Sequence, residues 1–333
     1  MMKARGSDNM VKKNTLIKFL VLTIILGSAG CYRIDKGSRN QETKTIEFIV
    51  KMGAGEHWEM VRSGAQEAAK EFNVNMNFTA PDKEQDVDVQ EKLVESAIER
   101  KVDAIVLSSS DYKGMVNVVE KAYNSKIPVI IIDSLVDTDK ITGTVSTNNF
   151  EAGKQAGAKL AQLVGDNSNI AVMSFVKESE SAENREKGIE AALKNYKNIN
   201  IVAKEYCYSN EKASEELTKN VIQLNKNLNG IVALNSSASL GAARAIEELG
   251  LKNKIKLVTF DSTMLGIQYL ENDVIQGTVV QNPFMIGYLG LKYGAMAARG
   301  EKIPKNTEIE SRVIDEYNMY SEENQKFIFP FVK

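Results

Sequence analysis

Two short runs, Ala104-Ile-Val-Leu107 and Val129-Ile-Ile-Ile132, decide how this chain is read. Each is apolar at every position, and the second is entirely β-branched. A strand with one face in water alternates apolar and polar residues. A strand with no polar position is expected where a parallel sheet is covered on both faces. Outward from these two, similar runs occupy 45–52, 74–79, 169–174, 199–205, 230–234, 255–260 and 275–280. Most of the intervals carry apolar residues at helical spacing. Val61, Ala65, Ala68, Ala69 and Phe72 are one set; Ala242, Ala245, Ile246 and Leu249, stopped by Gly250, are another. Repeated βα units with such strands predict an α/β fold of doubly wound parallel sheets. Gly143-Thr-Val-Ser-Thr-Asn-Asn149 separates two blocks of similar layout, so two similar lobes are expected.

Length agrees with two domains, because 333 residues is about twice the ~150 of a common domain. The balance of 42 basic and 44 acidic residues, a net charge of −2, supplies no general attraction for nucleic acid. One histidine, His57, leaves no His-rich zinc site and at most one imidazole base. Neither a metal nor a cofactor is expected. Two cysteines cannot make a disulfide scaffold.

The first 44 residues read as an address and a tether. Lys12, Lys13 and Lys18 precede the apolar run Phe19-Leu-Val-Leu-Thr-Ile-Ile-Leu26, which is followed by Gly27-Ser-Ala-Gly30 and Cys31. A basic stretch, a short apolar stretch and small residues at the exit describe an export signal peptide, residues 1–30. The run is shorter than the ~20 residues of a membrane-spanning helix. Cys31 after Ala29-Gly30 resembles the lipobox of bacterial lipoproteins, with Ser28 where that motif prefers Leu. That resemblance implies acylation of Cys31 and an anchor in the membrane. With Cys31 so used, Cys207 has no partner. Residues 31–44 are polar and without periodicity, as a flexible tether is.

Ligands of open parallel sheets bind beyond the carboxyl ends of the strands. Those ends here deliver Lys51, then His57 and Trp58, Asp133-Ser134, Asn235, Asp261 and Gln281. Asp133, Asn235 and Asp261 also suit helix N-caps, so each has a plain alternative role. Gln281 is no favoured cap, and Pro283 after it opens a helix. Gly53-Ala-Gly55-Glu-His-Trp58 begins like a dinucleotide fingerprint, but Trp58 stands where the third glycine is needed. A phosphate-binding P-loop and a nucleophile elbow are both missing from the sequence, and no enzyme is expected.

The ordered landmarks Gly64-Ala-Gln66-x-x-Ala69, Ile127-Pro-Val-Ile-Ile-Ile-Asp133, Asn149-x-x-x-Gly153 and Arg185-x-x-Gly188 continue with Asn235-x-x-x-x-x-Gly241, Phe260-Asp261 and Gln281. In this order, over about Thr45 to Ile314, the chain resembles the periplasmic sugar-binding proteins of the ribose/galactose type. Those are solute-binding components of ABC importers, with two lobes and a three-strand hinge. The resemblance implies lobe 1 at 45–147 plus 282–311 and lobe 2 at 148–281 plus 312–333, with crossovers near 147–148, 281–282 and 311–313. It places the aromatic pair of the first loop at His57 and Trp58, and the sugar-anchoring carboxylate at Asp133. Ser134 stands where ribose-binding members have Arg. The second lobe's arginine is Arg185, the stacking aromatic Tyr208, and the other polar contacts are Asn235, Asp261 and Gln281. Lys51 is an added candidate without a ribose-type counterpart. The implied function is capture of a monosaccharide or related polyol by hinge closure, as a monomer, for an ABC permease. The alternative is a sugar sensor acting on a membrane histidine kinase. A sugar-responsive repressor shares the body fold but needs an N-terminal DNA-binding helix-turn-helix, where this chain has its export signal.

Overall fold

The computed structural model describes residues 43–328; the expected signal peptide, Cys31 and most of the tether lie outside them. Two six-stranded sheets form the centres of two α/β lobes. The first contains β1 (Thr45–Ile49), β2 (Asn75–Thr79), β3 (Ala104–Leu107), β4 (Val129–Ile132), β5 (Gly143–Thr147) and β11 (Asn306–Ile309). Its order is β11-β5-β4-β3-β1-β2, and all its pairs are parallel. The second contains β6 (Asn169–Ser174), β7 (Asn200–Tyr206), β8 (Leu228–Ala233), β9 (Lys256–Phe260), β10 (Gly277–Val280) and β12 (Arg312–Ile314). Its order is β12-β10-β9-β8-β6-β7, parallel except for β12, which runs antiparallel at the edge.

β3 and β4 are buried at every residue, as their composition demands. Ile130 and Ile132 face a core with α1 (Glu56–Glu71) and α9 (Pro283–Ala298). Ile105 and Ile131 face the opposite core with α2 (Val87–Glu99) and α3 (Val116–Asn124). The second sheet is covered by α4 (Asn149–Val164), α5 (Glu180–Leu193), α6 (Glu211–Leu224), α7 (Ser236–Glu248) and α8 (Met264–Glu271), with α10 (Glu322–Ile328) packed on the same core through Ile328. β5, β11 and β12 are not among the nine apolar runs of the sequence. β5 buries Ser146 and Thr147 where an aliphatic residue is usual, and β11 and β12 are edge strands with no continuous apolar run.

Three crossings join the lobes. Asn148 links β5 to α4, Gln281 and Asn282 link β10 to α9, and Glu310 and Ser311 link β11 to β12. Asn148 and Asn282 also cap the helices they begin, accepting from the backbone N–H groups of Glu151 and Met285.

In both lobes one helix pair is drawn into backbone contact by glycine. A Cβ on Gly287 of α9 would lie 1.9 Å from the Val61 carbonyl oxygen of α1, and one on Gly64 2.0 Å from that of Phe284. In the other lobe a Cβ on Gly153 of α4 would lie 2.1 Å from the Arg185 carbonyl oxygen, and one on Gly188 of α5 2.1 Å from that of Phe150. No side chain fits those spaces. The sequence landmarks at Gly64, Gly153 and Gly188 are thus packing requirements. They set the N-terminal halves of α1 and α5, which carry His57, Trp58 and Arg185.

Candidate ligand-binding site

The strands end toward a single cavity between the lobes, with about 470 Å³ of empty space, part of it open to solvent. The first lobe delivers Lys51 after β1, His57 and Trp58 in the first turns of α1, and Asp133 after β4. The second delivers Arg185 from α5, Asn235 after β8 and Asp261 after β9, while Gln281 stands at a crossing. All eight line the cavity.

Asp133 and Asp261 face each other across it with His57 between them. His57 Nε2 lies 3.5 Å from Asp133 Oδ1, and its Nδ1 lies 4.0 Å from Asp261 Oδ1. Asp133 also accepts from the Ser108 hydroxyl at 3.1 Å and lies 3.5 Å from Lys51 Nζ. Burial opposes its ionisation, but the charge of Lys51 and the pairing with His57 outweigh that and hold its carboxyl far below the usual range. Asp261 is fixed by the Ser236 backbone N–H at 2.9 Å and the Gln281 side-chain amide at 2.8 Å. Neither aspartate caps a helix. Thr263 caps α8 and Asn235 caps α7, where its oxygen accepts from Ala238 and its amide donates to Ser209.

Arg185 is buried at 3% exposure. Its Nε donates to Asn149 Oδ1 at 2.9 Å and its Nη1 to the Leu234 carbonyl at 2.6 Å, while the guanidinium packs 4.4 Å from the Phe260 ring centroid. Burial lowers its pKa, against the opposing charges of Asp261 and Asp133. A guanidinium stays protonated in proteins nonetheless. It is a fixed cation facing two fixed anions. Trp58 is buried with its ring edge-on to His57, centroids 4.9 Å apart. The surface therefore sets aromatic side chains among charged hydrogen-bonding groups, which suits a neutral ligand bearing both C–H and hydroxyl faces.

Two expected contacts stand elsewhere. Tyr208 is not on the cavity wall and is 48% exposed. Tyr208 and Ser209 both have positive φ, 52° and 53°, and this turn sends Ser209 to the cavity and Tyr208 to solvent. The aromatic lining on that side is Phe175. Ser134 is fully buried behind the wall, with its hydroxyl 2.7 Å from that of Ser181. Glu84, Phe175, Ser181 and Ser209 line the cavity without having been singled out in the sequence. Phe175 directly follows β6, so the strand-end rule reaches it. Ser181 lies four residues before Arg185, on the same helix face. Glu84 and Ser209 sit in loops and carry no local signal.

The family model for the periplasmic binding protein domain matches residues 46–302. The ribose import binding protein of Haemophilus influenzae is 25% identical over 272 residues, 82% of this chain and 91% of that protein. A carbohydrate transporter solute-binding protein from Agrobacterium radiobacter, solved with D-arabinose, superposes with a TM-score of 0.84 at 28% identity, over 86% of this chain and 99% of that one. An ABC transporter solute-binding protein from Agrobacterium vitis, solved with D-fucose, gives 0.83 at 30% identity, over 85% and 99%.

Proposed function

Since this chain belongs to the periplasmic binding protein domain family, we propose that it is a sugar-binding component of an ABC importer, capturing a monosaccharide or related polyol by closure of its two lobes. One observation carries the reading: charged and aromatic groups from the strand ends of both sheets converge on one cavity between the lobes. The relatives described above are import components, and this favours import over signalling to a kinase.

The geometry supports a mechanism without bond chemistry. Ring hydroxyls donate to Asp133 and Asp261 and accept from Arg185, whose positions are set by Ser108, Ser236, Gln281 and Asn149. Trp58 covers a C–H face of the sugar. Hydrogen bonds to charged groups contribute roughly 1.5–3 kcal/mol each, against about 1 for neutral pairs, so these three groups dominate affinity. A sugar held by one lobe completes its hydrogen bonds when the other arrives, and binding thereby selects the closed form. The division into lobes at Asn148, at Gln281 with Asn282, and at Glu310 with Ser311 belongs to this reading. So do a signal peptide at 1–30, a lipid on Cys31 and a tether that holds a monomeric body outside the cytoplasmic membrane beside its permease.

A panel of pentoses, hexoses, 6-deoxyhexoses, inositols and linear polyols, tested by thermal shift on the body from Thr45 onward, checks the function. At least one raises the melting temperature in a concentration-dependent way. No shift with any member, at millimolar concentration, counts decisively against sugar capture.

A further inference from the structure

At the cavity wall and behind it a string of hydrogen bonds crosses from one lobe to the other and back. Lys51 Nζ, on the first lobe, donates to the Ser179 hydroxyl of the second at 3.1 Å and to that of Ser181 at 3.4 Å. The Ser179 and Ser181 hydroxyls lie 3.0 Å apart, and Ser181 lies 2.7 Å from the Ser134 hydroxyl of the first lobe. Ser134 in turn donates to Asp133 Oδ2 at 3.3 Å. The charges at the two ends set the direction of the string. The ammonium donates to Ser179, each hydroxyl donates to the next, and the last donates to the carboxylate, so every hydroxyl proton has an acceptor. Ser134 and Ser179 are fully buried, and neither lines the cavity. Ser179 has a second property that bears on this. Serine is a preferred helix N-cap, yet Ser179 stands directly before α5 and makes no cap with its side chain. Its hydroxyl is turned to the opposite lobe instead.

We propose that Ser134 and Ser179, with Lys51 and Ser181, form a clasp between the lobes that slows the release of a bound sugar, although Ser134 and Ser179 lie off the cavity wall. The inference rests on the sugar-capture reading above. Ser134 and Ser179 are then positioning residues, which act on the lobes and make no contact with the sugar. A sugar enclosed between the lobes leaves only when they part, and parting breaks the bonds from Lys51 to Ser179 and from Ser181 to Ser134. Parted lobes return these groups to water, whereas a closed clasp short of one hydroxyl buries a neighbour with a partner missing. Loss of one hydroxyl therefore destabilises the closed form and not the open one. A net hydrogen bond corresponds to about a fivefold factor. The opening step carries that factor whether the sugar-free lobes rest open or closed, so the release rate is the quantity that reports the clasp.

Release is timed by chasing a radiolabelled sugar from the protein with an excess of the unlabelled compound. The probe is the tightest-binding member of the panel above, with D-ribose, D-arabinose and D-fucose tried first. Ser134→Ala and Ser179→Ala, one in each lobe, each release it about fivefold faster than the native protein, and neither slows association. Because Ser179 makes no side-chain cap, its replacement takes none from α5, and faster release in that variant does not come from a frayed helix or a displaced Arg185. An effect confined to Ser134→Ala would instead come from its neighbour Asp133, so the second variant separates the clasp from damage to the sugar's anchor. Circular dichroism verifies the fold of both; if one does not fold, the other decides alone. Release within about twofold of the native rate in either folded variant overturns the clasp. So does a loss of affinity that comes from slower association. Both results leave sugar capture intact, whereas no binding by any member of the panel overturns both.

Discussion

Asp133 and Asp261 hold the same place in their lobes. Each follows the last residue of a strand with a left-handed backbone, φ 58° and 72°, and each donates its N–H at 3.0 Å to a valine carbonyl of the next strand, Val145 or Val279. Aspartate tolerates this conformation better than most residues, and backbone strain of this kind collects at functional sites. Replacing Asp133 by Ala removes an ionised acceptor and leaves Lys51 with Glu84 alone and His57 with Asp261 alone as carboxylate neighbours. Replacing Arg185 by Ala empties the cationic side. Each variant is expected to bind sugar about a hundredfold more weakly, by calorimetry, with an unchanged circular dichroism spectrum. Near-native affinity in both would move the ligand elsewhere. His57 makes the site sensitive to protons. Burial and the neighbouring Arg185 charge lower its pKa, but pairing with Asp133 and the charges of Asp261 and Asp133 outweigh them, so it is raised above 6.5. A raised folded-state value means a stabilisation that is fully present below about pH 6.5 and lost as pH rises through the folded value. The melting-temperature difference between the native protein and His57→Gln should therefore shrink from pH 5.5 to pH 8.5. A difference constant over that range would remove the imidazolium from the account.

The helix pairs α1 with α9 and α4 with α5 depend on absent side chains. Gly188→Ala would press a methyl group against the Phe150 carbonyl and the Lys154 backbone, and Gly287→Ala would press one against the Val61 carbonyl. Neither backbone can yield without moving a helix. The cost is about 1–3 kcal/mol or more, a fall of several degrees in melting temperature by calorimetry. For Gly188→Ala the shift also reaches Arg185, less than one turn before it, so sugar affinity falls as well; an unperturbed melting curve would show that the pair has slack. Elements such as β3 and β4 were legible because burial on both faces leaves a run with no polar residue. β5, β11 and β12 were not, because Ser146 and Thr147 or an exposed edge interrupts the pattern.

Across the whole molecule the lobes meet in a closed arrangement at the rim as well as at the inner wall. The Tyr112 N–H donates to the Glu178 carbonyl and the Met264 N–H to the Glu56 carboxylate, both at 2.9 Å between lobes. Trp58, the only tryptophan, is therefore a direct reporter on closure. Adding a bound sugar should change its emission while small-angle scattering records a smaller radius of gyration. Unchanged emission alongside calorimetric binding would exclude Trp58 from the ligand's surroundings. By itself the sequence determined the α/β class, the two lobes and most of the polar wall, because residues at the ends of apolar strands must gather at one edge of a parallel sheet. Only the tertiary structure decided that Ser209 lines the cavity while Tyr208 faces solvent, and that Lys51 is engaged by Glu84 and the opposite lobe. Those outcomes depend on the handedness of one turn and on distances between segments far apart in the chain, and no local pattern of residue types encodes either.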